Sequence, residues 1–238
     1  MTKTLLAVVS CHTRPEFSDA IRNTWASEVP ADKADLRFFL GRGPNAPKPD
    51  EVILDCDDSY AGLPEKVREI VRWAHKKQYS HVSKIDDDVV MDPVKFVRSG
   101  FQMFDYVGYR PDGADGYGIE GRSFEGAKGT WGFCYSLSRK SMDAIVGSPL
   151  PGEEGSAWDS SLGYQHLGND EYWICRLLHL NKIYLHVDQR YHLRTGEATE
   201  LQEVPGVFLF CVHMHGTMEK QEEVHEMCRI WRERIQND

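Results

Sequence analysis

The sequence of 238 residues has no stretch long and apolar enough to cross a membrane as a helix. Its first apolar run, Leu5 to Val9, stops after five residues at Ser10, whereas a spanning helix needs about 20. The same run makes a poor signal peptide. There is no Cys-x-x-Cys pair: Cys11, Cys56, Cys134, Cys175, Cys211 and Cys228 are scattered. A disulfide framework is therefore not required, and reduced thiols in a cytoplasm are the expected state. Positive charge is also in deficit, with 28 Lys and Arg against 37 Asp and Glu and a net charge of −9. That balance argues against a surface built mainly to grip nucleic-acid phosphates, which needs cations to displace counterions. A local basic groove stays compatible with it. Internal repeats and low-complexity tracts are absent too, and nothing in the chain specifies an oligomeric state. The expectation is a protein without membrane insertion, located in the cytoplasm.

What is present reads as one α/β domain over residues 1–238. Hydrophobic residues at 41% and charged residues at 27% are close to globular averages, so a packed core is expected. Apolar runs alternate with amphipathic stretches, the pattern of strands alternating with helices around a mostly parallel sheet. "TLLAVVS", "LRFFL", "EVILD", "HVSKI", "DYVGYR", "FCYSLS", "KIYLHVD" and "VFLFCVHMH" read as strands. In "HTRPEFSDAIRNTWAS", Thr13 and Glu16 have capping-box spacing, with Phe17, Ile21 and Trp25 on one helical face. "GLPEKVREIVRWAHKKQ" carries Leu63, Val67, Ile70, Val71 and Ala74 on one stripe, with Pro64 early in the helix. Asp92-Pro93 reads as an N-cap and first position of a helix through "VKFVRSGFQMF". "RKSMDAIVG", "NDEYWICRLLHL" and "MEKQEEVHEMCRIWRERI" are further helices, and the glycine-rich residues 112–132 form a loop suited to fold over a site.

Four features carry chemistry. Asp86, Asp87 and Asp88 follow "HVSKI" directly, at the strand edge where open α/β sheets bind ligands. Adjacent carboxylates repel, and a hard divalent cation such as Mn²⁺ or Mg²⁺ would neutralise them. A solvated turn before a helix cap explains the same residues. His213 and His215 leave an apolar strand at i and i+2 and so project to one side, which suits a metal ligand with a supporting neighbour or two structural histidines. Asp170 and Glu171 stand where a helix begins, as catalytic acids or as ordinary partners of the helix macrodipole. Trp131, between Gly129 and Gly132, is a core residue or a flat platform for a sugar ring.

In order, "TRPEFSDAIRNTW", "DDSYAGLPEK", "KIDDDV", "GTWGFCYSLS", "NDEYW" and "VHMHG" resemble the motifs of the β1,3-galactosyltransferase and fringe-like glycosyltransferases, across roughly residues 4 to 220. The resemblance implies the GT-A fold, a nucleotide-sugar-binding α/β sheet, and inverting transfer of a sugar from a UDP-sugar with Mn²⁺. It implies Asp88 as a direct metal ligand, Asp86 and Asp87 holding the ribose or assisting the metal, and His213 as the remaining ligand, with His215 the alternative. Thr13 and Arg14 would line the uracil pocket, and Lys66, Trp131 and Gly132 would belong to the donor site. Asp170 aligns with the family's catalytic Asp, yet the box reads Asn169-Asp170-Glu171 where the family has Glu-Asp-Val, so a one-residue slip would make Glu171 the base. The acceptor implied is a hydroxyl on a glycan, a protein or a modified nucleic acid. A glycosyltransferase acting on a hydroxylated base of viral DNA, and an inactive carbohydrate-binding module, are the alternatives. A two-metal phosphohydrolase would call for a second carboxylate cluster.

Overall fold

The computed structural model describes residues 3–110, 129–157, 170–194 and 211–214, with the backbone alone for 192–194 and 211–214. Its centre is a seven-stranded sheet built from β1 (Thr4–Val9), β2 (Ala34–Leu40), β3 (Glu51–Ile53), β4 (His81–Asp86), β6 (Tyr106–Gly108), β7 (Cys134–Ser138) and β8 (His186–Val187). Their order is β3-β2-β1-β4-β7-β6-β8, parallel except where β7 pairs antiparallel with β4 and β6. The helices are α1 (Pro15–Asn23), α2 (Leu63–Lys76), α3 (Pro93–Arg98), α4 (Arg139–Val146) and α5 (Asp170–Leu180). The expected α/β architecture, a central mostly parallel sheet flanked by helices, is thus the architecture found.

Strand alternation divides the core in two. Leu5, Ala7 and Val9 of β1 and Val82 of β4 join Val67, Ile70, Trp173 and Ile174 on the face covered by α2, α4 and α5. Leu6, Val8 and Ile85 face the other way, onto Ile21, Trp25 and Phe96. A strand buried on both sides must be apolar at successive positions, which is why β1 reads as an unbroken hydrophobic run. The period of α2 holds as read, with Val67, Ile70, Val71 and Ala74 all buried. The cap at Asp92 forms too, its side chain accepting from the Lys95 backbone N–H at 3.0 Å.

Several expectations need correction. No capping box forms at α1: Arg14 is the N-cap, without a side-chain cap bond, and Thr13 Oγ1 instead meets Cys11 Sγ at 3.2 Å. Pro15 takes the first helical position, for which its missing N–H and fixed φ suit it. The helix after Asp92 ends at Arg98, because Gly100 turns left-handed at φ 87° and a short 3₁₀ turn, Phe101–Met103, follows. Of "KIYLHVD" only His186–Val187 pairs as strand. A second, three-stranded sheet was not anticipated: β5 (Val89–Met91), β9 (Tyr191–Arg194) and β10 (Cys211–Met214), in the order β5-β10-β9. The proposed helix at 218–235 and most of the glycine-rich loop lie outside the described residues.

Trp25 joins the α1 layer to this second sheet. It is fully buried and its Nε1 donates to the Val89 carbonyl at 3.0 Å. Trp25→Ala is expected to lower unfolding free energy by about 3–5 kcal/mol, the usual cost of emptying a large buried aromatic site. Trp25→Phe should cost less, since it forfeits mainly the indole hydrogen bond. Urea unfolding midpoints check both, and a loss under about 1 kcal/mol for the alanine variant would show that the site collapses without it.

Candidate functional site

The carboxyl ends of β1 and β4 open into a cleft of about 870 Å³, within the usual size of small-molecule sites. One buried pair organises its floor. Lys66 of α2, 1% exposed, donates from Nζ to Asp58 Oδ1 at 2.7 Å and to the Ser10 carbonyl at 2.9 Å. Asp58 in turn accepts from the backbone N–H groups of His12 at 2.7 Å and Gly41 at 2.6 Å. A single carboxylate therefore holds the loops after β1 and β2 against the start of α2. Burial pushes Asp58 toward its neutral form, but Lys66 and the two N–H donors outweigh it and keep the group below its usual range. The close approach needs glycine: a Cβ at Gly43 would stand 2.0 Å from the His12 ring, and one at Gly41 would meet the Asp58 backbone at 2.8 Å.

The acidic triplet is sorted by the pleat of β4. Lys84 and Asp86 lie on the α5 side, and Lys84 Nζ, almost fully buried, contacts Asp86 Oδ1 at 2.6 Å, the Gly132 carbonyl at 2.6 Å and Asp170 Oδ1 at 3.6 Å. Asp87 turns to the α1 side, where Ser10 Oγ donates to it at 3.0 Å and the Arg14 guanidinium approaches to 3.3 Å. Ser18 Oγ donates to Ser10 Oγ at 2.8 Å, which extends the network into α1. Arg14 also lies over the Phe17 ring, 3.9 Å from its centroid. Burial, opposed by Lys84 and reinforced by Asp88 and Asp170, raises Asp86 to about 7. Burial likewise raises Asp87 to about 6, against the pull of Arg14 and Ser10. Carboxylates raised in this way would gain from a bound cation.

Asp87 and Asp88 form the turn between β4 and β5. β5 pairs antiparallel with β10, so that the His213 backbone stands opposite Val89, one residue beyond Asp88. The topology thus carries a residue from far down the chain to the edge of the triplet. Asp86 and Asp88 carry hard oxygen donors of the kind that Mn²⁺ or Mg²⁺ prefers, and the His213 backbone stands opposite Val89, beside them. Among the described residues no three His, Cys, Asp or Glu side chains gather as a complete ligand set. His215 lies outside the described residues.

At the start of α5, Asp170 is 0% exposed and accepts a hydrogen bond from the Tyr135 hydroxyl on Oδ2. Glu171 is half-buried, and a Cβ at Gly132 would come within 2.8 Å of its Oε2. Burial first, then the charge of Asp170, raises Glu171 to about 8. Trp131 is also half-buried; its backbone N–H donates to the Tyr109 carbonyl and its ring packs against the α1-side core.

Thr13, Arg14, Lys66, Asp86, Asp87 and Asp88 all line the cleft. Asp170, Glu171 and Gly132 gather around Lys84 beyond Asp86, whereas the Trp131 ring packs on the α1 side. Sequence reasoning passed over Ser10, His12, Asp58, Arg42 and Tyr60, which line the cleft as well, and the buried Lys84 and Tyr135. A lysine inside an apolar strand, two residues before a carboxylate, was the available signal for Lys84.

No protein-family model matches the chain, and no curated protein matches it. Among solved structures, it is similar to a protein from Desulfovibrio desulfuricans G20 provisionally named a nucleotide-diphospho-sugar transferase, with 12% identity, a TM-score of 0.47 and coverage of 79% of this chain and 80% of that one. No residue's role follows from a likeness of that size. No helix among the described residues is long and apolar enough to cross a membrane.

Asp58→Ala would strand Lys66 and two backbone donors together. A cost of about 3–5 kcal/mol is expected, as for other buried pairs broken from one side. Because Asp58 is held below its unfolded value of 3.8, its stabilisation is complete above that pH and is lost as the pH falls through the folded value. Asp58→Asn should therefore weaken the protein at neutral pH and flatten the acid limb of its stability profile. A parallel shift of the whole profile, measured by urea unfolding between pH 3 and about 7, would assign the acid limb to other groups.

Proposed function

We propose that the chain is a metal-dependent glycosyltransferase of the GT-A type, which moves a sugar from a UDP-sugar to an acceptor hydroxyl with inversion. The observation that supports it most is a convergence at one sheet edge. Strand β4 brings Asp86–Asp88 into the cleft beside Arg14, the acidic first turn of α5 stands on the other side of Lys84, and β10 sets the His213 backbone opposite Val89. Asp88, with Asp86 and His213, would hold the cation, which when bound neutralises charge on the departing diphosphate. Thr13, Arg14 and Asp87 form a wall with both donors and acceptors, suited to a uracil and ribose. Trp131 and Gly132 would face the donor sugar.

In this reading the acceptor oxygen attacks the anomeric carbon from the face opposite UDP, and the carbon–oxygen bond to the β-phosphate breaks with its electron pair leaving on UDP. A carboxylate at the start of α5 takes the acceptor's proton. A single displacement of this kind inverts the configuration. The low-dielectric surroundings of Lys84, Asp86 and Asp170 keep those charges in fixed places, so little reorganisation is needed as charge develops. The acceptor is proposed to be a glycan hydroxyl, with a protein or modified nucleic-acid hydroxyl as the other classes to assay.

The reading is tested by incubating the protein with UDP-galactose, UDP-glucose and UDP-N-acetylglucosamine in Mn²⁺ and following UDP release. Release from at least one donor, abolished by chelation, is expected; no release and no UDP binding would sink it. Asp88→Ala should weaken Mn²⁺-dependent UDP binding by about tenfold or more in calorimetry, as loss of a direct ligand requires. Unchanged binding would take Asp88 out of the metal site.

A further inference from the structure

We propose that Glu171, and not Asp170, accepts the proton of the attacking hydroxyl, and that Asp170 is a positioning residue holding Lys84 and Tyr135 beneath the site. The inference rests on the transferase reading and assigns roles within it. Consecutive residues on a helix point about 100° apart, so Asp170 and Glu171 face different surroundings. Asp170 is the inward one. It is 0% exposed, its Oδ2 accepts from the Tyr135 hydroxyl, and its Oδ1 lies 3.6 Å from Lys84 Nζ. Around it are the fully buried Trp173 and Ile174 of the same helix. Among the described residues, both of its oxygens are already engaged, one by the Tyr135 hydroxyl and the other by the Lys84 ammonium.

Glu171 has the opposite setting. It is half-buried, its carboxylate lies over the backbone of Gly132, and any larger residue at 132 would press on Oε2. The charges of Glu171 and, less strongly, Asp170 both act on the Tyr60 phenol, and Tyr60 is 71% exposed and lines the cleft. Glu171 and Asp86 also act on one another across Lys84. Of the two carboxylates Glu171 is the one open to solvent, and so the one an acceptor oxygen would meet in this reading. Burial and the neighbouring Asp170 charge raise the Glu171 pKa, which makes its ionised form a stronger base than an ordinary carboxylate. The step balances: the hydroxyl proton passes to Glu171, the oxygen forms the new glycosidic bond, and UDP departs with the electron pair of the broken bond.

Asp170 has a different duty. Lys84 is almost fully excluded from water and needs anionic partners; Asp170 shares that load with Asp86. Loss of its charge should draw Lys84 further onto Asp86 and disturb the cation corner.

The test uses the full chain, Mn²⁺ and whichever of the three UDP-sugars it hydrolyses fastest, with water and then azide as acceptor. Azide attacks without giving up a proton, so it needs no base. Glu171→Gln is expected to lower water-dependent UDP release by about 100-fold or more, to keep Mn²⁺-dependent UDP binding, and to keep azide-dependent formation of glycosyl azide. Asp170→Asn is expected to weaken Mn²⁺-dependent UDP binding by about tenfold, as loss of a group that orients a ligand does, and to depress both acceptor reactions together. Glu171→Asp, which keeps the charge and shortens the arm, covers the case in which the glutamine variant unfolds: it should retain UDP binding and lose hydrolysis in preference to azide transfer. Near-normal hydrolysis by Glu171→Gln, or an Asp170→Asn that binds UDP normally and loses only the water reaction, overturns the assignment while leaving the transferase reading intact. A wild-type chain that neither binds UDP nor releases it from any donor overturns the transferase reading itself, and this inference with it.

Discussion

The burial of the Lys84 ammonium in the middle strand of the sheet is the constraint around which the rest is arranged. An unpaired charge there would cost several kcal/mol, so the fold must bring anions and lone pairs to it. It does so from three directions: Asp86 two residues along the same strand, the Gly132 carbonyl from the entry to β7, and Asp170 from the first turn of α5. Those partners belong to segments separated widely in sequence. Satisfying one lysine therefore fixes the relative placement of β4, β7 and α5, and with it the acids that border the cleft. Burial alone would lower the Lys84 pKa, but Asp170, Asp86 and Glu171 outweigh it and raise it, which favours the charged form.

A second buried lysine plays the corresponding part on the other side of the cleft. Lys66 answers to Asp58, and that carboxylate also collects the His12 and Gly41 backbone donors. Two cations, each fully matched, thus brace the two walls, while Arg14 stays 43% exposed beside Asp87. The division is functional in its physics. Matched, buried charges set geometry and have little left to offer a ligand; the half-exposed Arg14 and the raised carboxylate Asp87 still have something to gain from one.

Much of this was legible in the sequence wherever local pattern and tertiary outcome coincide. β1 shows its burial on both faces as an unbroken apolar run, α2 shows its stripe, and Asp92-Pro93 shows its cap. The pattern misled where a contact of longer range won. Thr13 and Glu16 have the spacing of a capping box, yet Pro15 starts the helix at a different register and Thr13 turns to Cys11. Asp58 lies in "DCDDSYAG", which has the composition of a solvated acidic turn; only the arrival of Lys66 and two backbone donors distinguishes it from its neighbours. β5 and β9 are three and four residues long, too short for any period to declare itself, and they exist because β10 lies between them. The triplet's position at a strand end was readable, but the sorting of Asp86 to the α5 side and Asp87 to the α1 side follows from the register of β4 in the sheet.

That sorting bears on why three acids stand in a row at all. Were they a simple solvated turn, nothing would require that Asp86 be locked to a buried ammonium or that Asp87 be tied to Ser10 and Arg14. Each of the first two is instead anchored to a different layer of the fold, and the chain then turns immediately into β5, with Asp88 at the bend. The bend is held from both sides: β4 is clamped between β1 and β7, and β5 is paired to β10 and receives the Trp25 indole on its Val89 carbonyl. Anchoring of this kind would immobilise the acids against their mutual repulsion, a cost that a free turn would avoid by splaying apart. Under the proposed transferase reading, a bound hard cation would offset that cost.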